Sequence, residues 1–336
     1  GSEARALFAL VGQEHRRTAF TPPELQVLRR LPIFETKGGA FVALSEARDG
    51  GVFLCPPGFE PEVRAEGLLE HREPELYAAL GVEVVDETAV FERFILPSLH
   101  TQSFARRVHA VQHVRNHWAE VRARPALLER LRAAELVPIA GVFVRADQLL
   151  DPRVPLLARV FRSDPVFPTG DFGSDAWLSI LRILGLQSAV TGDLFLQCAR
   201  RVQRSFAQAV AEGSEDGRRE AWAVASDLTA HLLANFVTLD ASTADFATAA
   251  AAIPFVPVRG PRDPVAAATT PPPETLARFG DAAAEEDEAL VWTAAPVLAV
   301  PAPAGEGVRR RLGLLSPPPA QMVVDHVTRL PADAPA

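Results

Sequence analysis

Residues 174–206, SDAWLSILRILGLQSAVTGDLFLQCARRVQRSF, limit what this chain can fold into more than any other stretch. Trp177, Leu178, Ile180, Leu181 and Leu184 recur at helical spacing, so they form one apolar stripe that must be covered. Ser174 stands where an N-cap belongs, Gly185 where a left-handed residue closes a helix, and Leu186 where a side chain folds back on the last turn. Thr191 caps a second helix whose stripe is Leu194, Cys198, Val202 and Phe206, with Arg200, Arg201 and Arg204 mostly off that face. Two striped helices on a short link predict an αα-hairpin that packs two subdomains together.

The flanking sequence adds shorter elements. LPIFETKGGAFVAL (31–44) holds two β-type runs around Lys37-Gly38-Gly39, a hairpin signal, with Pro32 at a sheet edge or strand start. VFLC (52–55) reads as a strand running into the Pro56-Pro57-Gly58 turn. Pro74 to Leu80 makes a short helix closed by Gly81, and Asp86 caps a longer one through Phe91, Phe94 and Ile95. Residues 102–122 read as one long amphipathic helix, and Pro125 starts another that ends near Glu135. LVPIAGVFV (136–144) repeats the pattern of the first strand pair, and IPFVPV (253–258) resembles its entry strand, a weak self-similarity at roughly a hundred residues. A helix is predicted from Arg218 to Phe236, and Ser242 with Asp245 forms a capping box for a short one. Residues 259–275 form a loop, ALVWT and VLAV read as strands, and a last helix covers 319–330. The predicted fold is α+β, helix-rich with small β-sheets, an elongated array of two or three subdomains. The Gly1-Ser2 pair reads as a cloning scar, followed by an α+β subdomain over 3–135, a helical one over 136–252, a small α+β one over 253–330, and a tail over 331–336.

Composition removes several function classes. The net charge of −8 over 336 residues argues against general affinity for nucleic acid or anionic membrane, because phosphate binding draws on excess Lys and Arg. Two cysteines, Cys55 and Cys198, make no disulfide framework and no C-x-x-C pair, which suits a reducing, cytoplasmic compartment. Apolar runs stop short of the roughly 18 residues that a membrane span needs.

Motifs for chemistry are sparse. His109, His113 and His117 stand at i, i+4, i+8, with His100 and Glu120 nearby, a spacing that can hold zinc; a metal-assisted hydrolase would use this face. The phrase is HVRNH rather than H-E-x-x-H, so the base that such a hydrolase needs is not beside the ligands, and structural histidines are expected. Residues 101–135 carry seven Arg against three Glu, a basic excess that an adaptor could offer to acidic protein or RNA, or that a solvated, internally paired face explains. No Walker loop, G-x-G-x-x-G or G-x-S-x-G elbow occurs. No catalytic, cofactor-binding or metal residue is therefore assigned, and no cofactor is expected.

The order of phrases carries more than any one of them. LPIFETKGGAFVAL, ELYAALGVEVVDETAVFERFILPSL, HWAEV, LVPIAGVFVRADQLLDPRVPLLARVF, DPVFPTGDFGSDAWLSILRILGL, LVWTAAPVL and LGLLSPPPAQMVVDHVTRL together resemble the internal repeats of the sacsin family of chaperone-like proteins, from about Leu28 to Leu330. The resemblance implies a repeat module lying beyond an ATPase domain of the type found in the ninety-kilodalton heat-shock chaperone. That ATPase's Glu-x-x-x-Asn and D-x-G-x-G are not found here: Asn235 has His231 where the glutamate would stand, so no nucleotide-binding residue carries over. What the resemblance implies is a non-catalytic co-chaperone module in protein folding and quality control. Its partners would be client proteins, the seventy-kilodalton heat-shock chaperone and the ATPase domains of the same large protein.

Overall fold

The computed structural model describes residues 1–44, 52–54, 67–70, 72–264 and 272–330. Cys55 with its Pro-Pro-Gly turn, most of the predicted 259–275 loop and the 331–336 tail lie outside these residues. The chain forms two compact units, Gly1–Ala146 with Asp175–Leu184, and Asp147–Ser174 with Gly185–Ala336. The fold is α+β and helix-rich with small sheets, as the sequence predicts. The division is drawn otherwise than the three consecutive runs read from sequence, because each unit borrows a segment from across the other.

The first unit opens with α1 (Ser2–Arg17) and α2 (Pro22–Arg29), the latter held by a Thr21/Glu24 capping box. The predicted hairpin follows as β1 (Phe34–Glu35) and β2 (Phe41–Val42), antiparallel with Phe34 opposite Val42. Strands β3 (Phe53–Leu54), β4 (Leu68–Leu69) and, after α3 (Pro74–Ala79), β5 (Glu83–Val84) make a parallel sheet with β3 in the middle. Phe8, Phe34 and Tyr77 meet at ring separations of 5.4–6.1 Å and centre this core. Glu35 is buried beside them, and the exposed guanidiniums of Arg5 and Arg72 reach it from two distant segments. The bond from Arg5 holds its carboxyl below the usual range.

Then come α4 (Glu87–Val90), α5 (Leu96–Ser98), α6 (Phe104–Asn116), α7 (Trp118–Arg122) and α8 (Pro125–Ala133). Between α4 and α5 a single π-helical turn, Phe91–Ile95, closes with the Leu96 N–H on Phe91 O. Pro97, next in line, has no N–H to offer. Strands β6 (Val137–Ile139) and β7 (Val142–Val144) form a second hairpin whose two turn residues, Ala140 and Gly141, both have positive φ, the twist a two-residue hairpin demands.

The chain next lays down α9 (Pro155–Val160) in the second unit and returns to the first as α10 (Asp175–Leu184). The hairpin predicted from 174–206 is corrected here. Helix α10 turns its buried stripe to α6 and α8, whereas α11 (Gly192–Ala211) packs on α9, on α12 (Glu215–Ser242) and on α13 (Phe246–Ala251). Gly185, at φ 118°, is thus the joint where the chain passes between units. Thr191 caps α11 as predicted, while the buried Ser174 hydroxyl finds no partner.

In the second unit α11 and α12 make the most extensive helix contact among the described elements. Phe195 of α11 meets Phe246 and Phe255 edge-on at 5.6 Å each, and Phe255 meets Phe279 at 6.0 Å, carrying the core to a sheet. That sheet is antiparallel, with β8 (Val256–Arg259) between β9 (Glu274–Ala277) and, beyond α14 (Glu288–Val291), β10 (Val297–Leu298). The IPFVPV run therefore enters a three-stranded sheet and not a third hairpin. Two more readings change: ALVWT is mostly the helix α14, and the Ser242/Asp245 box is not formed. Ser242 instead ends α12, donating to Leu239 O and accepting from the Gly192 N–H at 2.8 Å. Helices α15 (Glu306–Leu312) and α16 (Ala320–Arg329) complete the unit. Among the described residues no helix is long and apolar enough to cross a membrane.

Two substitutions test this packing. Trp177→Ala removes a side chain with no exposure and should cost about 3–5 kcal/mol in denaturant unfolding; an unchanged midpoint contradicts its burial. A Cβ at Gly192 would lie 2.7 Å from Leu239 O and 2.5 Å from the Thr243 hydroxyl, so Gly192→Ala should destabilise by about 1–3 kcal/mol as α11 and α12 are forced apart.

Candidate functional site

The predicted histidine face is rearranged by a break in its helix. At His117 the backbone leaves α-geometry (φ −113°, ψ 29°), so α6 ends at Asn116 and α7 begins at Trp118. The long helix read over 102–122 is therefore two helices. His109 is exposed, and His100 sits exposed on the turn after α5; neither joins a cluster. His113 and His117 do come together, their rings stacked at 4.2 Å with 18° between planes. His113 stacks on its other face against Phe91, the first residue of the π-turn, at 5.0 Å.

The third member is Glu87, which no pattern in the sequence tied to the histidines. Asp86 does cap α4, its carboxylate accepting the Ala89 N–H at 2.7 Å, and this places Glu87 at the first helical position. There its Oε2 lies 3.2 Å from His117 Nε2. Ligand-type atoms of Glu87, His113 and His117 all lie within 4.8 Å of one another. The only sequence signal for Glu87 was the acid that helix N-termini favour, and that does not say which side chains face it.

A second layer holds these groups. Glu120, predicted to lie nearby, has Oε2 at 3.8 Å from His117 Nδ1 and accepts the hydroxyl of the fully buried Thr88 at 2.6 Å. That bond keeps its carboxyl below the usual carboxylate range. Arg124 bonds the outer oxygen of Asp86 at 2.6 Å and also faces Glu92. His113 Nε2 is hidden from solvent, and no hydrogen-bond partner for it is present among the described residues. Burial, with a smaller push from His117, lowers the His113 pKa to about 4, so this imidazole is neutral at physiological pH.

The arginines of 101–135 are largely engaged within their own unit. Arg107 bonds Glu135 O and lies over the Phe143 ring at 4.1 Å, Arg124 and Arg130 face Glu92, and Arg132 bonds Glu129 and Ile183 O. The predicted basic face is thus mostly an internal ion-pair network, with Arg106 and Arg122 exposed. Cys198 lies in the second core, and burial pushes its thiol up to about 12, the state of an inert packing residue.

Comparison with family models, with curated proteins and with solved structures yields no match for this chain.

The buried imidazole makes the first unit sensitive to acid. The unfolded chain binds a proton on this residue near pH 6.5 and the folded chain only near 4, so the unfolded state holds more protons between those values. The stability that neutral His113 contributes is therefore complete above about pH 6.5 and lost as the pH falls toward about 4. Urea midpoints at about pH 7.5 and 5 should fall further for the parent than for His113→Phe, which keeps the stack on Phe91 without the titration; equal declines would refute this assignment.

Proposed function

We propose that this chain is a non-catalytic module of a sacsin-like co-chaperone, positioning ATPase units and holding client segments in cytoplasmic protein folding and quality control. The observation that carries this reading is its modular build. Each unit has an apolar core of its own, centred on Phe8, Phe34 and Tyr77 in one and on Phe195, Phe246, Phe255 and Phe279 in the other. Such cores suit a spacer that keeps its shape between working domains. The α+β, helix-rich fold is of the class that the resemblance implies, and the resembling phrases supply elements in both units. Helix α10, the hairpin β6/β7 and helices α14 and α16 all come from them.

The side chains that chemistry would recruit serve structure instead. Cys198 and Thr229 are buried in the second unit, with the Thr229 hydroxyl donated to Ala225 O at 2.8 Å. Thr293 and His326 form a buried pair at 2.7 Å beside Trp292. The partners proposed are client proteins, the seventy-kilodalton heat-shock chaperone and ATPase domains of the same large protein.

The test is a light-scattering assay in which a client enzyme is unfolded by heat with the chain in molar excess. Suppressed scattering, with client retained on the chain in pull-down, is the expected result. Scattering equal to that with an inert protein removes the client-binding role. Turnover of an ester, peptide or phosphate substrate that a point substitution abolishes removes the non-catalytic one.

A further inference from the structure

We propose that Glu87, His113 and His117 form a binding site for a late first-row divalent metal ion, zinc foremost, that ties the start of α4 to the α6/α7 break within the first unit. The donor set is the chemical argument. Two imidazoles and one carboxylate match the borderline-soft preference of zinc, and three protein ligands leave a fourth position for water. Their atoms lie within 4.8 Å of one another, and four ligands at zinc distances sit about 3.3–3.5 Å apart. Closing that gap needs small side-chain rotations, because all three residues come from the ends of rigid elements.

The supporting shell is what separates this group from a chance ion pair. A zinc-bound histidine donates its other ring N–H to an acceptor, which fixes the tautomer and aims the free nitrogen at the metal. His117 is placed that way: Nδ1 faces Glu120, Nε2 faces Glu87, and Glu120 is itself anchored by Thr88. His113 adds an independent sign, since its Nε2 is hidden from water and lacks a partner, an arrangement that costs free energy without a bound group. Phe91 on one side and His117 on the other hold that ring in plane. The break at His117 also has a use here, because it brings an i, i+4 pair beside Glu87 of another helix while His109, the third histidine of the sequence pattern, stays outside.

The test uses the whole chain, stripped with a chelator and titrated with zinc chloride against a chromogenic competitor. One equivalent should bind, the melting temperature should rise, and cobalt(II) should give the visible absorption of a tetrahedral site. Glu87→Gln and His117→Asn, both partly exposed, should each weaken binding at least tenfold with circular dichroism unchanged. Glu120→Gln, acting through His117, should weaken it by about 10- to 100-fold. His109→Asn and His100→Asn should change nothing. The site is refuted if no stoichiometric metal binds, if binding survives the Glu87→Gln/His117→Asn double variant, or if it follows His109 instead. None of these outcomes bears on whether the chain holds clients.

Discussion

The second unit depends on one long antiparallel helix contact. The stripe Leu194, Cys198 and Val202 of α11 shares a core with Val224, Leu228, Leu232 and Phe236 of α12, and every other element of that unit is placed against this pair. Contact this close needs a residue without a side chain where the start of α11 meets the end of α12, and Gly192 supplies it. The same junction is closed by Ser242, whose hydroxyl serves both helix ends. From there the edge-on ladder of Phe195, Phe255 and Phe279 carries the packing to the three-stranded sheet.

The first unit is held differently, with charge brought close to its apolar cores. Glu35 is buried, and two arginines from distant segments stabilise its charged form. Around α6 to α8 the arginines neutralise Asp86, Glu92 and Glu129, so a basic sequence gives little free basic surface. The proposed metal site lies in this setting, and its acidic member is drawn from the same helix start that Asp86 caps. A divalent ion there would join elements that are otherwise linked by one stacked ring and one short His–Glu contact.

These two styles bear on the functional proposal. A module that positions working domains must resist deformation, which interdigitated aromatic cores provide, since packed interiors are poorly compressible. A tie between helix starts in the first unit would add local rigidity where the backbone departs from regular geometry, at the π-turn and at His117.

The sequence by itself determined the element types wherever period and punctuation agree. The stripes of α10 and α11, the Thr191 and Asp86 caps and the Gly-containing turns of both hairpins follow from spacing and from backbone conformations that only certain residues tolerate. It failed where a local rule competes with a distant partner. ALVWT satisfies strand propensity yet becomes α14, and Ser242 satisfies a capping box yet bonds Gly192, fifty residues away. Tertiary structure alone decided which apolar faces meet, because a stripe states that it must be covered and not by what; hence α10 and α11 went to different units. It alone placed Glu87 beside His117 and left His109 in water, since a helix break is set by the contacts on either side of it and not by the periodicity that runs through it.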